Sequence, residues 1–371
     1  MKKILIKNAR IMVDTKNGYI IDGDLLVEGG RIKQIAARIQ EDADIVIDAH
    51  RQYASPGFID IHTHCYPVGN LGMDPDSLGI KRWSSTIFDA GTAGPETFED
   101  FKVNYIDKAR TKVYSLLNLS RRGIEVGHEL DDPKKLDPDG VRAMVKKYPE
   151  TIVGLKARAS QSVVGTMGIA PIRETAALAH ELGIPVLVHV GHYPPALSEV
   201  FDCLEARDLT THSFHGKPGG LIQNNQILPE AMSAINRGVL LDVGHGEESF
   251  CFTTYRKARK LGIDCDTISS DLHARNFNGP VFSELCCVNK IINCGEPLSA
   301  AVDKTTRIPA ENFKLKGLGV LKAGYIADVF LFDFIDTDEP VQDSMGNSLR
   351  MRKKIDPKNL IVSRGEESEI F

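Results

Sequence analysis

Two histidines separated by one residue, His62 and His64, are the first residues in the chain whose type and spacing suit metal chemistry. They end residues 56–64, where a Pro-Gly turn precedes the β-formers Phe58 and Ile59. Because side chains alternate between the faces of a strand, both imidazoles would lie on one side and could bind a metal such as zinc. An isolated His-x-His is at least as often an ordinary hydrogen-bonded pair, so the interpretation depends on further ligands.

Four more polar residues each end an apolar run with the character of a short strand: Lys156, His189, His212 and Asp271. In a parallel β/α barrel, functional groups gather at the C-terminal ends of the strands. Taken singly, each has an ordinary explanation, such as a solvated lysine, a hydrogen-bonded histidine or an aspartate that caps a helix. Together with the first two histidines they are far less plausible as coincidence, and they predict one polar site.

Lys156 needs its own chemical argument, because an ammonium group has no lone pair and repels metal ions. Between two divalent cations its amine would be driven neutral. A neutral amine can add CO₂ to give a carbamate, which would bridge two metals as a carboxylate does. A bridging water would then ionise near neutral pH and become the nucleophile. Asp271 could accept its proton and pass it to a leaving nitrogen.

The elements that must position these residues follow an alternating pattern. From residue 56, short apolar strands alternate with helix-like segments, which is typical of parallel β/α units. Besides the strand with the paired histidines, strands are predicted at residues 85–89, 113–119, 152–156, 185–189, 209–212, 239–242 and 267–271. Helices are predicted at residues 95–110, 139–147, 171–182, 196–203, 229–236, 254–261, 281–293 and 298–305. Eight strands close a (β/α)₈ TIM barrel, so the predicted fold class is α/β.

The two ends of the chain predict a second, smaller domain. Strand patterns occur there at residues 3–13, 20–28, 32–35, 45–48, 317–335 and 359–363. Residues 345–357 have the charges and turn formers of a solvated loop. Neither end alone can bury much apolar surface. We therefore predict a composite β-sandwich domain from residues 1–54 plus 315–371, and a barrel domain from residues 55–314.

Composition limits the class of protein. The 371 residues exceed the roughly 250–300 at which one core stops growing, which favours two domains. A net charge of -5 gives no basic footprint for nucleic acid. No apolar run approaches the roughly 18 residues of a membrane span, and seven scattered cysteines do not suit a disulfide framework. We expect a cytoplasmic protein that acts on a small molecule, without a nucleic-acid or membrane partner.

Motifs over nearly the whole chain resemble those of the amidohydrolase superfamily of metal-dependent hydrolases. Residues 56–64 resemble its opening signature, residues 305–312 its post-barrel helix and residues 319–328 its closing Gly-x₄-Gly-x₂-Ala-Asp stretch. Within the superfamily, the chain is most similar to a bacterial amidohydrolase/deacetylase branch often called dihydroorotase-like. Residues 154–158, 242–246 and 271–280 match that branch.

The resemblance implies two divalent ions, with zinc as the expected metal. His62, His64 and Asp271 would hold one ion, His189 and His212 the other, and carboxylated Lys156 would lie between them. The implied activity is hydrolysis of an amide or ester bond by a bridging hydroxide, with Asp271 as the catalytic residue. The expected substrate is a small N-acyl amino-acid-like carboxylate, and the expected assembly is a homo-oligomer.

Candidate substrate contacts are the four residues Arg158, His245, Arg275 and His215. Either arginine could bind a substrate carboxylate bidentately or form a structural salt bridge. The histidines could orient substrate or hydrogen-bond to the metal ligands.

Three alternatives stay open. The first is a cyclic-amide hydrolase of the dihydroorotase or hydantoinase kind, although dihydroorotase proper has an arginine where this chain has Tyr66. A nucleobase deaminase would usually hold one metal and lack the bridging lysine. Non-catalytic scaffolds related to hydantoinases have lost their ligands, whereas every ligand position is filled here.

Overall fold

The computed structural model describes residues 2–124 and 128–371 and contains two large sheets. The strands, in chain order, are β1 (Lys3–Asp14), β2 (Tyr19–Glu28), β3 (Arg31–Ala36), β4 (Ile45–Asp48), β5 (Tyr53–Pro56), β6 (Phe58–Thr63), β7 (Ser84–Ala90), β8 (Lys112–Asn118), β9 (Ile152–Ala159), β10 (Val186–Val190), β11 (Leu209–Thr211), β12 (Ile222–Gln223), β13 (Gln226–Ile227), β14 (Leu240–Leu241), β15 (Val329–Asp336), β16 (Pro340–Gln342), β17 (Ser348–Arg350), β18 (Lys353–Arg364) and β19 (Glu367–Ile370).

The α-helices alternate with the strands of the central region. They are α1 (Pro75–Leu78), α2 (Phe98–Phe101), α3 (Pro138–Lys147), α4 (Gln161–Val164), α5 (Ala170–Leu182), α6 (Leu197–Asp202), α7 (Pro229–Asn236), α8 (Phe252–Lys260), α9 (Glu284–Asn293), α10 (Leu298–Asp303) and α11 (Arg307–Asn312). Across residues 2–124 and 128–371, none of the helices has the length and apolar character needed to span a membrane.

Seven parallel strands form the barrel sheet in the order β6-β7-β8-β9-β10-β11-β14. The segment 267–272 closes the ring through isolated parallel bridges at its two ends. Thr267 pairs with Asp242 next to β14, and Leu272 pairs with Thr63 at the end of β6. The predicted α/β barrel is confirmed, with its eighth strand reduced to these bridges.

The terminal segments share the second sheet, in the order β19-β18-β15-β5-β1-β2-β3 with β4 beside β1. The junction is β15, which pairs antiparallel with both β5 and β18. The two ends of the chain therefore build one β unit, as their strand patterns predicted. The domain boundaries at residues 54/55 and 314/315 stay a prediction.

Alternation along β15 attaches this β unit to the barrel. Val329 and Leu331 pack into the core of the β unit, while Phe330 and Phe332 join the large cluster that covers the barrel. The Phe330 ring lies edge-on to Phe58 of β6, with centroids 5.1 Å apart. A single strand thus contributes to two cores, because its successive side chains point to opposite faces.

A register irregularity in β6 sets the direction of the paired histidines. Ile59 and Ile61 belong to a cluster that takes residues from five barrel strands, so they face the barrel interior. Strict alternation would turn His62 and His64 to the outside. The β6–β7 register shifts between residues 60 and 63, and His62 and His64 face inward as well. A bulge of this kind re-aims side chains beside a site.

Three sequence predictions about local structure are wrong. The predicted helix at residues 95–110 is the short α2 followed by a π-helical turn, Lys102–Ile106. The strand predicted from residue 317 begins only at Val329, because Gly317, Gly319 and Gly324 have φ values of 75°, 83° and 86° that interrupt extended backbone. Residues 345–357, predicted as a loop, contain β17 and the start of β18, since β16 and β17 form a hairpin.

Candidate active site

The predicted ligands meet at one end of the barrel. His62, His64, Lys156, His189 and Asp271 line a cavity of about 280 Å³. The His212 ring lies behind this lining, with its centroid 5.1 Å from that of His62 and 4.5 Å from that of His189. Six side chains from five separate parts of the sequence therefore form one cluster.

Three of these residues have their ligand atoms within 4.8 Å of one another: His62, His64 and Asp271. The Nε2 atoms of the two histidines lie 3.2 Å and 3.1 Å from Oδ1 of Asp271. The Nζ atom of Lys156 lies 2.9 Å from Nε2 of His62. The carboxylate, the imidazoles and the amine thus converge on a common volume.

A relay of hydrogen bonds fixes the tautomer of His62. The Thr211 hydroxyl donates its one proton to Oδ2 of Asp242 at 2.7 Å. Its oxygen must therefore accept from Nδ1 of His62, at 2.9 Å. The Nε2 atom of His62 therefore carries a lone pair, which faces Lys156 and Asp271. Burial and the neighbouring Lys156 hold the pKa of His62 well below its ordinary value, so this ring is neutral at pH 7.

His212 presents a lone pair that has no hydrogen-bond partner within the part of the chain that the structure describes. Its Nδ1 lies 2.5 Å from the carbonyl oxygen of Gly244, which can only accept, so Nδ1 carries the proton. Its Nε2 is buried and has no hydrogen-bond partner among residues 2–124 and 128–371. Burial lowers the pKa of His212 to about 4. A buried, neutral nitrogen without a partner is what a metal ligand presents before it coordinates.

The donor set fits a divalent metal ion. His62 Nε2 and Asp271 Oδ1 are both acceptors, and two acceptors 3.2 Å apart repel each other unless a cation lies between them. Burial raises the pKa of the Asp271 carboxyl, but His62, His64 and the other neighbouring histidines outweigh it and hold that pKa well below its usual value. Neutral imidazoles with a carboxylate suit zinc and similar ions.

Lys156 is enclosed and has an altered acidity. Its side chain is fully buried, and burial lowers its pKa to about 7, with Asp271 opposing the shift. Gly91, which has a φ of 79°, packs against the side-chain stem, and a Cβ there would lie 2.7 Å from Cγ of Lys156. The amine is therefore held beside His62 and is substantially neutral near pH 7.

Two predicted ligands have left-handed backbone conformations. The φ angles are 66° for His212 and 54° for Asp271. Residues other than glycine rarely adopt this backbone conformation, and those that do cluster at functional sites. The surrounding structure holds Asp271 in place: its N–H donates to the His62 carbonyl at 2.7 Å, and its carbonyl accepts from Nδ2 of Asn276 at 2.7 Å.

The two candidate arginines line the cavity in different ways. Arg158 is buried and bidentate to Glu129, with its Nε 2.6 Å from Oε1 and its Nη2 2.5 Å from Oε2. The side chain of Arg275 is 55% exposed and makes one ion pair, from Nε to Oε2 of Glu247 at 3.1 Å. Arg158 thus has its charge compensated inside the protein, whereas Arg275 pairs with Glu247, whose side chain is 40% exposed.

The two candidate substrate histidines lie outside the cavity lining. His245 is fully buried, and its ring contacts Lys290 and Ser344. His215 is buried and accepts the backbone N–H of Lys217 at Nδ1. Of the four predicted substrate contacts, the structure brings only the two arginines to the cavity.

Several residues of the site were not identified from the sequence. His273 lines the cavity, with its ring 5.9 Å from His64, and its position two residues after Asp271 was an available signal. Thr211 and Glu129 act through His62 and Arg158, and their roles depend on partners distant in sequence. Nothing in the local pattern identifies them.

Comparison with known proteins places this geometry in a family. No protein-family model matches the chain. A deacetylase from Enterococcus faecalis is 34% identical over 356 residues, covering 94% of this chain and 96% of the relative. A solved structure described as an adenine deaminase superposes with a TM-score of 0.93 at 32% identity over all of both chains. Another, described as a dihydroorotase, gives 0.91 at 30% identity over 99% of this chain and 97% of the other.

The chain therefore belongs to the amidohydrolase superfamily. It is a metal-dependent hydrolytic enzyme that acts on carbon–nitrogen bonds.

Proposed function

We propose that this protein is a binuclear metal-dependent amidohydrolase that removes the acyl group from a small N-acyl amino-acid-like carboxylate. The observation that carries the proposal is the cluster of five ligand-type side chains around the buried amine of Lys156. In the proposed site, His62, His64 and Asp271 hold one ion, and His189 and His212 hold the other. Ser160 Oγ lies 3.1 Å from Nε2 of His189, which leaves Nδ1 of that ring for coordination.

Lys156 would join the two ions as a carbamate. Carboxylation requires a neutral amine, and a pKa of about 7 supplies one at physiological pH. When bound, the two ions, with zinc expected, would supply Lewis acidity and lower the pKa of water. Asp271 would take up a proton on its carboxylate and return it to the leaving nitrogen.

The dimensions and charges of the cavity support the substrate class. A volume of about 280 Å³ admits only a small molecule. Arg275 is the better candidate for the substrate carboxylate, because Arg158 already has a buried carboxylate partner in Glu129. A substrate carboxylate would exchange with Glu247 for the fork of Arg275. The deacetylase name of the Enterococcus faecalis relative supports an acyl substrate.

A cyclic-amide hydrolase is the second candidate, favoured by the similarity to the structure described as a dihydroorotase. Tyr66 weakens it, because this residue occupies the position of the dihydroorotase arginine. Its hydroxyl donates to Asp100 at 2.8 Å, and its ring packs on Phe101 with centroids 4.9 Å apart. The side chain therefore turns away from the cavity and contributes no cation to it.

The test is a screen of zinc-loaded protein against N-acetyl-D- and L-amino acids, acylated hydroxy acids, dihydroorotate, hydantoins and adenine. We expect hydrolysis of an N-acyl carboxylate, with zinc content measured on the same sample. Arg275→Met should raise KM about 10- to 100-fold for carboxylate substrates and leave neutral amides unchanged. Turnover of dihydroorotate or the hydantoins alone would favour the second candidate. Full activity in Lys156→Ala with metal retained would contradict the binuclear site.

A further inference from the structure

A buried lysine outside the cavity joins the two loops on either side of Asp271. Lys290 lies in α9 and is 1% exposed. Its Nζ lies 2.9 Å from Nε2 of His245 and 2.7 Å from the carbonyl oxygen of Pro280. Both of these partners are neutral acceptors. Burying the Lys290 ammonium among neutral partners costs free energy, so we look for a role of this residue beyond packing.

His245 passes the contact with Lys290 on to the backbone beside Asp271. Nδ1 of His245 donates to the carbonyl of Gly246 at 3.0 Å, so its Nε2 is the nitrogen that accepts from Lys290. The next residue, Gly246, has a φ of 57°, and a Cβ there would lie 2.8 Å from Oδ2 of Asp271. The backbone after His245 is therefore pressed against the Asp271 carboxylate.

The second contact of Lys290 fixes the other loop. The Pro280 carbonyl ends residues 272–280, which leave Asp271 and include Arg275. Asn276 of this loop holds the Asp271 carbonyl through a hydrogen bond of 2.7 Å. The Lys290 ammonium thus connects residues 245–246, which lie against the Asp271 carboxylate, with residues 272–280, which follow Asp271.

The C-terminal hairpin adds a third component. Ser344, in the turn between β16 and β17, contacts the carbonyls of His245 at 3.0 Å and Gly246 at 2.7 Å. Its N–H donates to the Phe250 carbonyl at 3.1 Å. A segment almost 100 residues further along the chain therefore supports the same backbone that lies against Asp271.

We infer that Lys290, acting through His245 and assisted by Ser344, is a positioning residue that sets the Asp271 carboxylate for metal binding and proton transfer. The inference rests on the proposed function for its catalytic part. Its structural part, the placement of Asp271, is independent of the substrate.

The test compares Lys290→Met with Lys304→Met. Lys304 is also buried, but it pairs with Asp264 and Glu296 and does not line the cavity, so its variant controls for loss of a buried ammonium. Zinc affinity is measured by competition with a chromophoric chelator, and kcat and KM are measured on the substrate found in the screen. Thermal unfolding with chelator present reports folding.

We expect Lys290→Met to bind zinc about 10- to 100-fold more weakly and to lower kcat by a similar factor. KM should change by a smaller factor than kcat, because the substitution removes no group that contacts substrate. Ser344→Ala should also weaken zinc binding and lower kcat, but by a smaller factor. Lys304→Met should lower the unfolding temperature without changing zinc affinity or kcat.

Wild-type zinc affinity and kcat in a folded Lys290→Met protein would overturn the inference. If the wild-type protein hydrolyses none of the acyl or cyclic amides, the proposed function fails by itself. Zinc affinity then decides the inference alone: weaker binding in Lys290→Met supports it, and unchanged binding overturns it.

Discussion

Replacing Thr211 by valine tests the relay that orients His62. Valine has nearly the same shape as threonine and carries a methyl group in place of the hydroxyl. In the structure that hydroxyl donates to Asp242 at 2.7 Å and accepts from Nδ1 of His62 at 2.9 Å. The substitution leaves a buried imidazole N–H without an acceptor, at a cost of about 1–3 kcal/mol, and removes one charged hydrogen bond worth about 1.5–3 kcal/mol.

The expected effect on metal binding follows from the tautomer. Without Thr211, the His62 ring can move its proton to Nε2, where Lys156 and Asp271 lie. Metal binding must then restore the original tautomer, and we expect zinc affinity to fall about 10- to 100-fold, or about 1.4–2.8 kcal/mol. Asp242 retains its hydrogen bonds from Thr267 and Ser269, at 2.7 Å and 2.6 Å, so the protein should still fold.

The assay is competition for zinc against a chromophoric chelator, with urea unfolding of the metal-free protein in parallel. Thr175→Val is the matched control, because Thr175 is also fully buried but its hydroxyl donates only to the Pro171 carbonyl on α5. It should lower the free energy of unfolding by about 1 kcal/mol and leave zinc affinity unchanged. Zinc affinity within twofold of the wild-type value in a folded Thr211→Val protein would refute the relay.

Three further predictions address the amine, its enclosure and the attachment of the β unit. Gly91→Ala places a Cβ 2.7 Å from Cγ of Lys156 and should reduce kcat/KM at least tenfold. Gly183→Ala is the control, because Gly183 has a similar φ of 70° but no atom lies within 4 Å of the added Cβ. It should lower the stability of the protein and leave kcat/KM unchanged. Because burial lowers the pKa of Lys156 to about 7 from 10.5, the unfolded chain binds the extra proton between those values. The free energy of unfolding of metal-free wild-type protein, relative to Lys156→Met, should therefore rise from pH 7 towards pH 10.5 by up to about 1.4 kcal/mol per pH unit, and a flat difference would contradict this. Lys112→Met leaves the buried carboxylate of Asp328, now 2.6 Å and 2.8 Å from the amine, without its cation, and should cost about 3–5 kcal/mol in urea unfolding. Lys353→Met, which removes an exposed ion pair with Asp336, should cost less than about 1 kcal/mol.

Much of the site could be predicted because the barrel repeats one physical rule. The candidate ligands follow apolar runs on several barrel strands, although β9 continues three residues past Lys156, and parallel strands bring these positions together. Lys156, His189 and Asp271 were therefore identifiable from the ends of apolar runs, and the structure places all three at the cavity. The eighth strand was also predicted in the right place, although only bridges at residues 267 and 272 remain of it.

Predictions from the sequence were less accurate for side chains whose direction is set by a loop. His245 and His215 were expected to contact substrate, yet both are buried outside the cavity lining. Their directions depend on turns such as the left-handed Gly244 and Gly246, and a one-residue change of backbone conformation re-aims the next side chain. The local pattern of Gly-His-Gly does not encode that choice.

By itself, the sequence determined the ring of strands and the positions of the candidate ligand residues on it, because strand periodicity and apolar runs are local properties. Only the tertiary structure decided which neighbours those residues have. Glu129 forms an ion pair with Arg158, Thr211 fixes the tautomer of His62, and Ser344 supports the loop beside Asp271. Each of these contacts joins residues at least 29 positions apart, so it exists only after the chain has closed on itself.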